Sequence, residues 1–246
     1  MTRGAMERDG DRRPLLCAAI FDVDGVLLAS PHERAWREAL AGYADPAAFT
    51  TAIYQADVAG KPRLDGARAA LKAMGVADAD AKAPGYAAIK QARLETLIEA
   101  GAVHAFPDAL RFVAAVRALG WPMAAASSSK NANAMMKSIR LASGDSLFDA
   151  FGVNVCGRDL PHGKPAPDIF LLAASELHTA PEACFVAEDA PAGIEAARAG
   201  HMAGLGVARL GDSGLLRGAH ADLVVASLDD VDLDDLADGR LGKRAP

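Results

Sequence analysis

The sequence has little of what marks several large protein classes. Its 246 residues contain three cysteines, Cys17, Cys156 and Cys184, spaced far apart and flanked by apolar neighbours. That excludes a disulfide framework or a cysteine-based metal knuckle and predicts reduced, buried thiols in a cytoplasmic protein. Aromatic residues make up 5% against 51% hydrophobic overall, so the apolar mass is chiefly Ala, Val and Leu, suited to close helix–sheet packing. Basic residues neither dominate nor cluster: 26 Lys and Arg stand against 32 Asp and Glu, a formal net charge of −6. The electrostatic footprint of a nucleic-acid binder is therefore missing. No apolar run reaches the roughly 20 residues needed to span a bilayer, and the charged residues 1–13 lack the apolar stretch of a signal peptide. Repeats and low-complexity tracts are absent too. What remains is a soluble protein without a nucleic-acid or membrane partner, expected to act on a small molecule as a monomer, with residues 1–13 as a flexible leader.

The length suits one core domain with a smaller insertion, because a single hydrophobic core stops growing at about 250–300 residues. Apolar runs of strand length occur at 15–21, 122–126, 153–156, 183–187, 202–207 and 222–226. Turns and stretches of helical periodicity follow them, the pattern of a parallel sheet wrapped by helices. Residues 107–119 illustrate the helical half: Leu110, Val113, Val116 and Leu119 share one face and Gly120 provides the stop. The stretches 168–177 and 191–199 repeat the design. Between Ser30 and about Gly101 only helical patterns occur. There Ser30, Pro31 and Glu33 predict an N-cap, a first-turn proline and a capping-box partner. Further helices are predicted at 64–74, closed by Gly75, and at 84–100, closed by Gly101. The expected fold class is α/β: a Rossmann-like parallel sheet core flanked by helices (14–29 and 102–238), a small helical cap domain (30–101) inserted after the first strand, and a flexible tail at 239–246.

Ligands of open parallel sheets bind beyond the carboxyl ends of the strands, so the residues after each apolar run carry the functional information. They are Asp22-Val23-Asp24-Gly25, Ser127-Ser128-Ser129-Lys130-Asn131, Lys164-Pro165 and Glu188-Asp189. Singly each has an ordinary reading: Asp-x-Asp-Gly as a turn, Ser-Ser-Ser-Lys as a loop, Lys-Pro as a helix lead-in. Jointly they put Asp22, Asp24, Glu188 and Asp189 at one sheet edge, where a single carboxylate pair at ~4 Å repels by roughly 4 kcal/mol at an effective dielectric of about 20. Such a cluster needs a cation, and hard oxygen donors with room for water and phosphate favour Mg2+. A carboxylate attacking a phosphate dianion meets the same repulsion, so it works only where positive charge is fixed opposite the phosphate. Lys164 and the metal would supply that charge, with the Ser127 hydroxyl and the backbone N–H groups of 23–25 as donors to the transferring oxygens.

Phe21-Asp22-Val23-Asp24-Gly25-Val26-Leu27, the Ser127 segment, Gly163-Lys164-Pro165-Ala166-Pro167-Asp168 and Glu188-Asp189-Ala190-Pro191-Ala192-Gly193-Ile194 resemble, in order, the four motifs of haloacid dehalogenase-like phosphotransferases. The likeness runs from about Ala18 to Val225. It implies that Asp22 is a nucleophile forming an aspartyl-phosphate, and that Asp24 protonates the leaving oxygen and later activates the incoming one. Ser127 and Lys164 complete the catalytic set. The same resemblance implies Mg2+ held by the carboxylate of Asp22, the backbone carbonyl of Asp24 and Asp189, with Glu188 close by or acting through water.

The cap region is similar to that of β-phosphoglucomutase-like enzymes in His32 with Arg34-Ala35-Trp36, in Gly60-Lys61-Pro62-Arg63 and in Lys90; Ser128, Ser129, Lys130 and Asn131 match on the core side. The implied substrate is a sugar phosphate. Arg63 would hold the phosphate that is not transferred, using bidentate guanidinium geometry. His32 would pass protons or orient Asp24, and Lys90 would offer donors to the sugar or the distal phosphate. Ala29 departs from the resemblance, which places an acidic residue there, and leaves open how the hinge is tied to the core. The function implied is Mg2+-dependent phosphoryl transfer on a sugar phosphate by a mutase whose cap excludes water; the alternative is a phosphatase of the same family that admits it. Carbon–halogen hydrolysis needs no second aspartate and is disfavoured by Asp24. A non-catalytic sensor would lack Asp22 or Asp24. His104, His162, His178, His201 and His220 show no metal-ligand spacing. The acidic run 229–235 reads as a solvated face, and Trp36 and Trp121 as packing residues.

Overall fold

The computed structural model describes residues 15–245; the leader expected at 1–13 lies outside them. β1 (Ala18–Phe21) is buried along its whole length, as a strand covered on both faces must be. It is followed by β2 (Leu28–Ala29) and by four helices, α1 (His32–Ala39), α2 (Thr51–Ile53), α3 (Arg63–Ala73) and α4 (Ala79–Glu99), with a π-helical turn at Tyr54–Val58 continuing α2. β3 (His104–Ala105) returns antiparallel to β2 and pairs Leu28 with Ala105 and Ala29 with His104. The chain then alternates through α5 (Pro107–Ala118), β4 (Met123–Ala125), α6 (Ala132–Ser138), β5 (Val153–Asn154), α7 (Asp168–Glu176), β6 (Cys184–Glu188), α8 (Pro191–Ala199), β7 (Ala203–Val207), α9 (Ser213–Gly218), β8 (Leu223–Val225) and α10 (Leu233–Ala237).

The main sheet has six parallel strands in the order β5-β4-β1-β6-β7-β8. Because β1 lies between β4 and β6, the direction of winding reverses beside it and a crevice forms beyond its carboxyl end. Alternating side chains divide the core between the two faces of the sheet. Phe21 lies edge-on to Phe112, Phe151 and Phe185, with centroids 6.0, 5.7 and 6.0 Å away. Ile20 points the other way, into a cluster with Phe170 and Val186. The helices between β2 and β3 bury a separate core around Trp36, Leu40, Phe49, Leu71 and Tyr86, and the Tyr86 hydroxyl donates to the Trp36 carbonyl at 2.8 Å. The α/β class with a helical insertion after the first strand is thus the observed one. Among the described residues no helix is long and apolar enough to cross a membrane.

Several local expectations give way. The capping box does not form: α1 opens after Pro31 without a side-chain cap, and Glu33 instead accepts from Arg37 and from the Thr51 hydroxyl. A charged partner one turn away outcompetes a backbone N–H. α4 begins at Ala79, not at 84, with Pro84 inside it; Ala79 and Ala83 are buried, and that packing carries the helix past a proline that removes a single N–H. The tail expected at 239–246 is bonded up to the last described residues: Leu16 N–H donates to the Gly239 carbonyl at 2.9 Å, Asp232 N–H to Gly242 at 2.9 Å, and Arg244 N–H to Asp230 at 2.8 Å. The acidic run is partly structural, since Asp232 caps α10 and Asp229 pairs with Arg111. Cys156 and Cys184 are buried as expected, but Cys17 is exposed, because it precedes β1 at the sheet rim.

Candidate active site

Asp22 is the first residue beyond β1 and Glu188 the last of the neighbouring β6, and parallel pairing in register brings the two segments side by side. Lys164, on the loop before α7, reaches between them. Its Nζ lies 2.5 Å from Asp22 Oδ1 and 2.5 Å from Glu188 Oε1, with all three side chains almost wholly out of solvent. Two glycines make room for the acids. A Cβ on Gly25 would stand 1.9 Å from Asp189 Oδ2, and one on Gly193 would stand 1.9 Å from Glu188 Cδ. Gly25 also has φ 83°, a left-handed turn conformation that suits glycine. Beyond β4, Ser127 Oγ donates to Asp24 Oδ2 at 3.4 Å.

The electrostatics follow from burial and crowding. Burial raises the Asp22 carboxyl, with Lys164 working against it. Asp24 is raised by burial, Glu188 by burial to about 7, and Asp189 well above its ordinary value by burial and then by Glu188 and Asp22. Lys164 is held protonated: burial alone would lower it, but Asp22 and Glu188 raise it. Asp24 Oδ1 is buried without a hydrogen-bond partner. The crowded, mutually repelling carboxylates of Asp22, Glu188 and Asp189, oxygen donors only, fit a hard divalent cation. Among the described residues no three of them already converge into a finished ligand set; Lys164 is the charge that bridges Asp22 and Glu188.

The helical insertion roofs this cluster and leaves a cavity of about 390 Å³ lined by Asp22, Asp24, Asp189, Lys164 and Ser127 below and by His32, Arg63 and Lys90 above. His32 Nε2 lies 3.6 Å from Asp24 Oδ1, and its Nδ1 lies 3.1 Å from Lys90 Nζ. Burial, then Lys90 and Arg63, lowers His32 well below its usual range, so the imidazole is neutral. Lys90, expected to offer donors to the sugar or the distal phosphate, is buried, with Nζ 4.7 Å from the Trp36 ring centroid, and burial lowers it to about 7. Arg63 lines the cavity from the start of α3.

The core-side polar residues meet the cap directly. Ser128 Oγ donates to the Gly60 carbonyl at 3.1 Å, Ser129 Oγ lies 3.5 Å from His32 Nε2, and the Asn131 amide pairs with Gln91 at 3.3 and 3.4 Å. Lys130 is turned to the rim, where its ammonium pairs with exposed Asp159 at 2.7 Å. Polar lining residues that the sequence motifs do not flag include Gln91, Tyr54, Arg158 and Asp159. Tyr54 is raised well above its ordinary value by burial, then by Asp189 and Asp24. It sits in the π-helical turn, whose sequence has no regular period to flag it.

Comparison with known proteins identifies the family. The family model for haloacid dehalogenase-like hydrolases matches residues 18–201. The chain is 34% identical over 242 residues to a β-phosphoglucomutase of Mycobacterium bovis, covering 86% of this chain and 89% of that protein. It is 32% identical over 192 residues to a fructose-1-phosphate phosphatase of Escherichia coli, covering 74% and 92%. Among solved structures, an archaeal β-phosphoglucomutase from a hyper-thermophilic Pyrococcus superposes with a TM-score of 0.71 at 32% identity, covering 89% of this chain and 96% of that one.

Proposed function

The chain belongs to the haloacid dehalogenase-like hydrolase family, and from that premise we propose that it is a Mg2+-dependent phosphoryl-transfer enzyme for sugar phosphates, working as a mutase of the β-phosphoglucomutase type. The observation that carries this reading is the buried Lys164 ammonium between Asp22 and Glu188, at the floor of a cavity that residues 30–101 cover as a cap. In the first half-reaction an Asp22 carboxylate oxygen bonds to phosphorus, the ester P–O bond breaks, and Asp24 gives its proton to the departing sugar oxygen. Burial raises Asp24, which favours the protonated acid that this step needs. In the second half Asp24 takes a proton from the incoming hydroxyl, which attacks the aspartyl-phosphate and frees Asp22.

Asp22, the Asp24 carbonyl and Asp189, with Glu188 nearby, are the groups that would hold Mg2+. When bound, the ion supplies positive charge opposite the phosphoryl oxygens. Lys164 favours the ionised form of Asp22 against the effect of burial, and Ser127 and the 23–25 backbone donate to the transferring oxygens. Neutral His32, held on its Nδ1 side by Lys90, faces Asp24 with Nε2 and orients it. Arg63 anchors the phosphate that stays on the sugar.

A phosphatase has its own support: the Escherichia coli relative acts on fructose 1-phosphate by name and matches over 92% of its length. One experiment separates the two readings. The protein is incubated with Mg2+ and a panel of sugar phosphates, with and without a trace of sugar 1,6-bisphosphate, and inorganic phosphate and isomerised sugar are measured separately. Isomerisation that depends on the bisphosphate is the expected result. Phosphate release without isomerisation across the panel would replace the mutase reading by the phosphatase one, and neither product would reject both.

A further inference from the structure

The strands β2 and β3 carry the chain out of the core and back, and Ala29 has no side chain with which to fasten the outgoing linker. The fastening comes from Arg209, just past β7. Its Nε donates to the Gly25 carbonyl at 3.0 Å and its Nη2 to the Val26 carbonyl at 3.0 Å, both on the outgoing linker. Its Nη1 donates to both Asp108 oxygens, at 3.1 and 2.8 Å. Its Cζ lies 3.8 Å from the ring centroid of Phe106 on the returning linker, and the Phe106 N–H donates to the Leu27 carbonyl at 3.0 Å. One planar guanidinium therefore grips both linkers.

Asp108 is itself fixed, because its Oδ2 accepts from the Ser227 hydroxyl and the Leu228 N–H, each at 2.8 Å. Against the cost of burial, Arg209, Leu228 and Ser227 hold its carboxyl below the usual range. The Arg209 and Asp108 side chains are 13% and 8% exposed, so removing one strands the other's charge. The Gly25 peptide is caught between this clamp and the site: Arg209 holds its carbonyl, while Asp189 fills the space where a Cβ would go. Gly25 directly follows Asp24.

Resting on the phosphoryl-transfer reading of the cavity, we infer that Arg209 is a positioning residue for that reaction: it clamps the carbonyls of Gly25 and Val26 to Asp108 and Phe106, fixing the turn that carries Asp24 and the hinge about which the cap closes. It touches no reacting atom.

The test is Arg209→Lys in the full chain, which keeps a positive charge opposite Asp108 but loses the fork that holds two carbonyls and a carboxylate. Hydrogen exchange is expected to quicken at 24–29 and 102–106 and to stay unchanged in β4 and β6. Turnover should fall about 10- to 100-fold, with KM rising in the same variant. A simple loss of folded molecules would instead lower kcat at constant KM and quicken exchange throughout. Asp108→Asn should move both readouts in the same direction by less, and it decides the matter if Arg209→Lys fails to fold. Arg111→Ala, on the same helix as Asp108 but breaking only an exposed pair with Asp229, should move neither. Unchanged exchange at both linkers, or a lower kcat with KM untouched, overturns the inference. A wild type inactive on every sugar phosphate overturns the phosphoryl-transfer reading instead, and the exchange arm still decides whether the clamp exists.

Discussion

A carboxyl buried without a counter-charge takes up a proton and loses its nucleophilicity, and at Asp22 the Lys164 ammonium opposes that outcome from 2.5 Å. Asp22→Asn keeps the shape and removes the proposed nucleophile, so both phosphate release and isomerisation should fall by about 10⁴-fold or more. Retained turnover in either assay would mean that another group attacks phosphorus. Lys90 makes the opposite bargain with burial. Its folded pKa of about 7 lies below the ordinary 10.5, so between those values the unfolded chain binds more protons and stability rises with pH. The penalty for burying the ammonium is fully present below about 7 and shrinks as pH climbs toward the unfolded value. Lys90→Met fills the space beside Trp36 without a charge, and its gain in thermal midpoint over wild type should be larger at about pH 6 than at about pH 9. An equal gain at both would show that Lys90 stays protonated in the fold across the whole interval, its pKa not lowered by burial. The core acids and Lys164 were legible in the sequence because each follows an apolar run at one sheet edge. Tyr54 was not, because an irregular turn has no periodicity to read.

At the scale of elements, the six strands of the main sheet were legible because buried parallel strands are unbroken apolar runs. β2 and β3, two residues each, carry too little pattern to be seen, yet they form the connection between cap and core. The capping box failed because Glu33 is taken by Arg37 one turn along its own helix and by Thr51 from the next element, the second of which is tertiary information, and the start of α4 was missed because packing overrode its proline. The docking of one loop on another was equally hidden, and it is testable. Gly163 lies so close to the cap that an added Cβ would meet Pro62 Cγ at 1.9 Å. Its backbone φ is not in the left-handed region, so Gly163→Ala introduces a wedge between cap and core without backbone strain. Held further open, the cap admits more water to the phospho-enzyme. The ratio of released phosphate to isomerised sugar should therefore rise, and KM with it, while the thermal midpoint changes little. A ratio identical to wild type would mean that this contact does not gate water.

The whole molecule places a cluster of acids where a hydrophobic core meets a second, smaller one, on a chain whose net charge is already −6. Left alone, that cluster works against folding. Glu188 has a folded pKa of about 7 against an ordinary 4.5, and Asp22, Asp24 and Asp189 are raised as well. For carboxyls shifted upward the folded state binds more protons than the unfolded one, so stability falls as pH rises from the unfolded value through the folded one. A divalent cation held by the same oxygens reverses this, since it binds the deprotonated forms and not the protonated ones. Saturating Mg2+ should therefore raise the thermal midpoint by mass action, and the rise should be small at about pH 5 and larger at about pH 7.5, where the cluster can ionise. Stripping divalent ions should abolish turnover, and restoring Mg2+ should recover it in parallel with the midpoint. A midpoint indifferent to Mg2+ at both pH values would mean that Lys164 alone neutralises the cluster, and turnover that survives stripping would mean that phosphoryl transfer here proceeds without the metal.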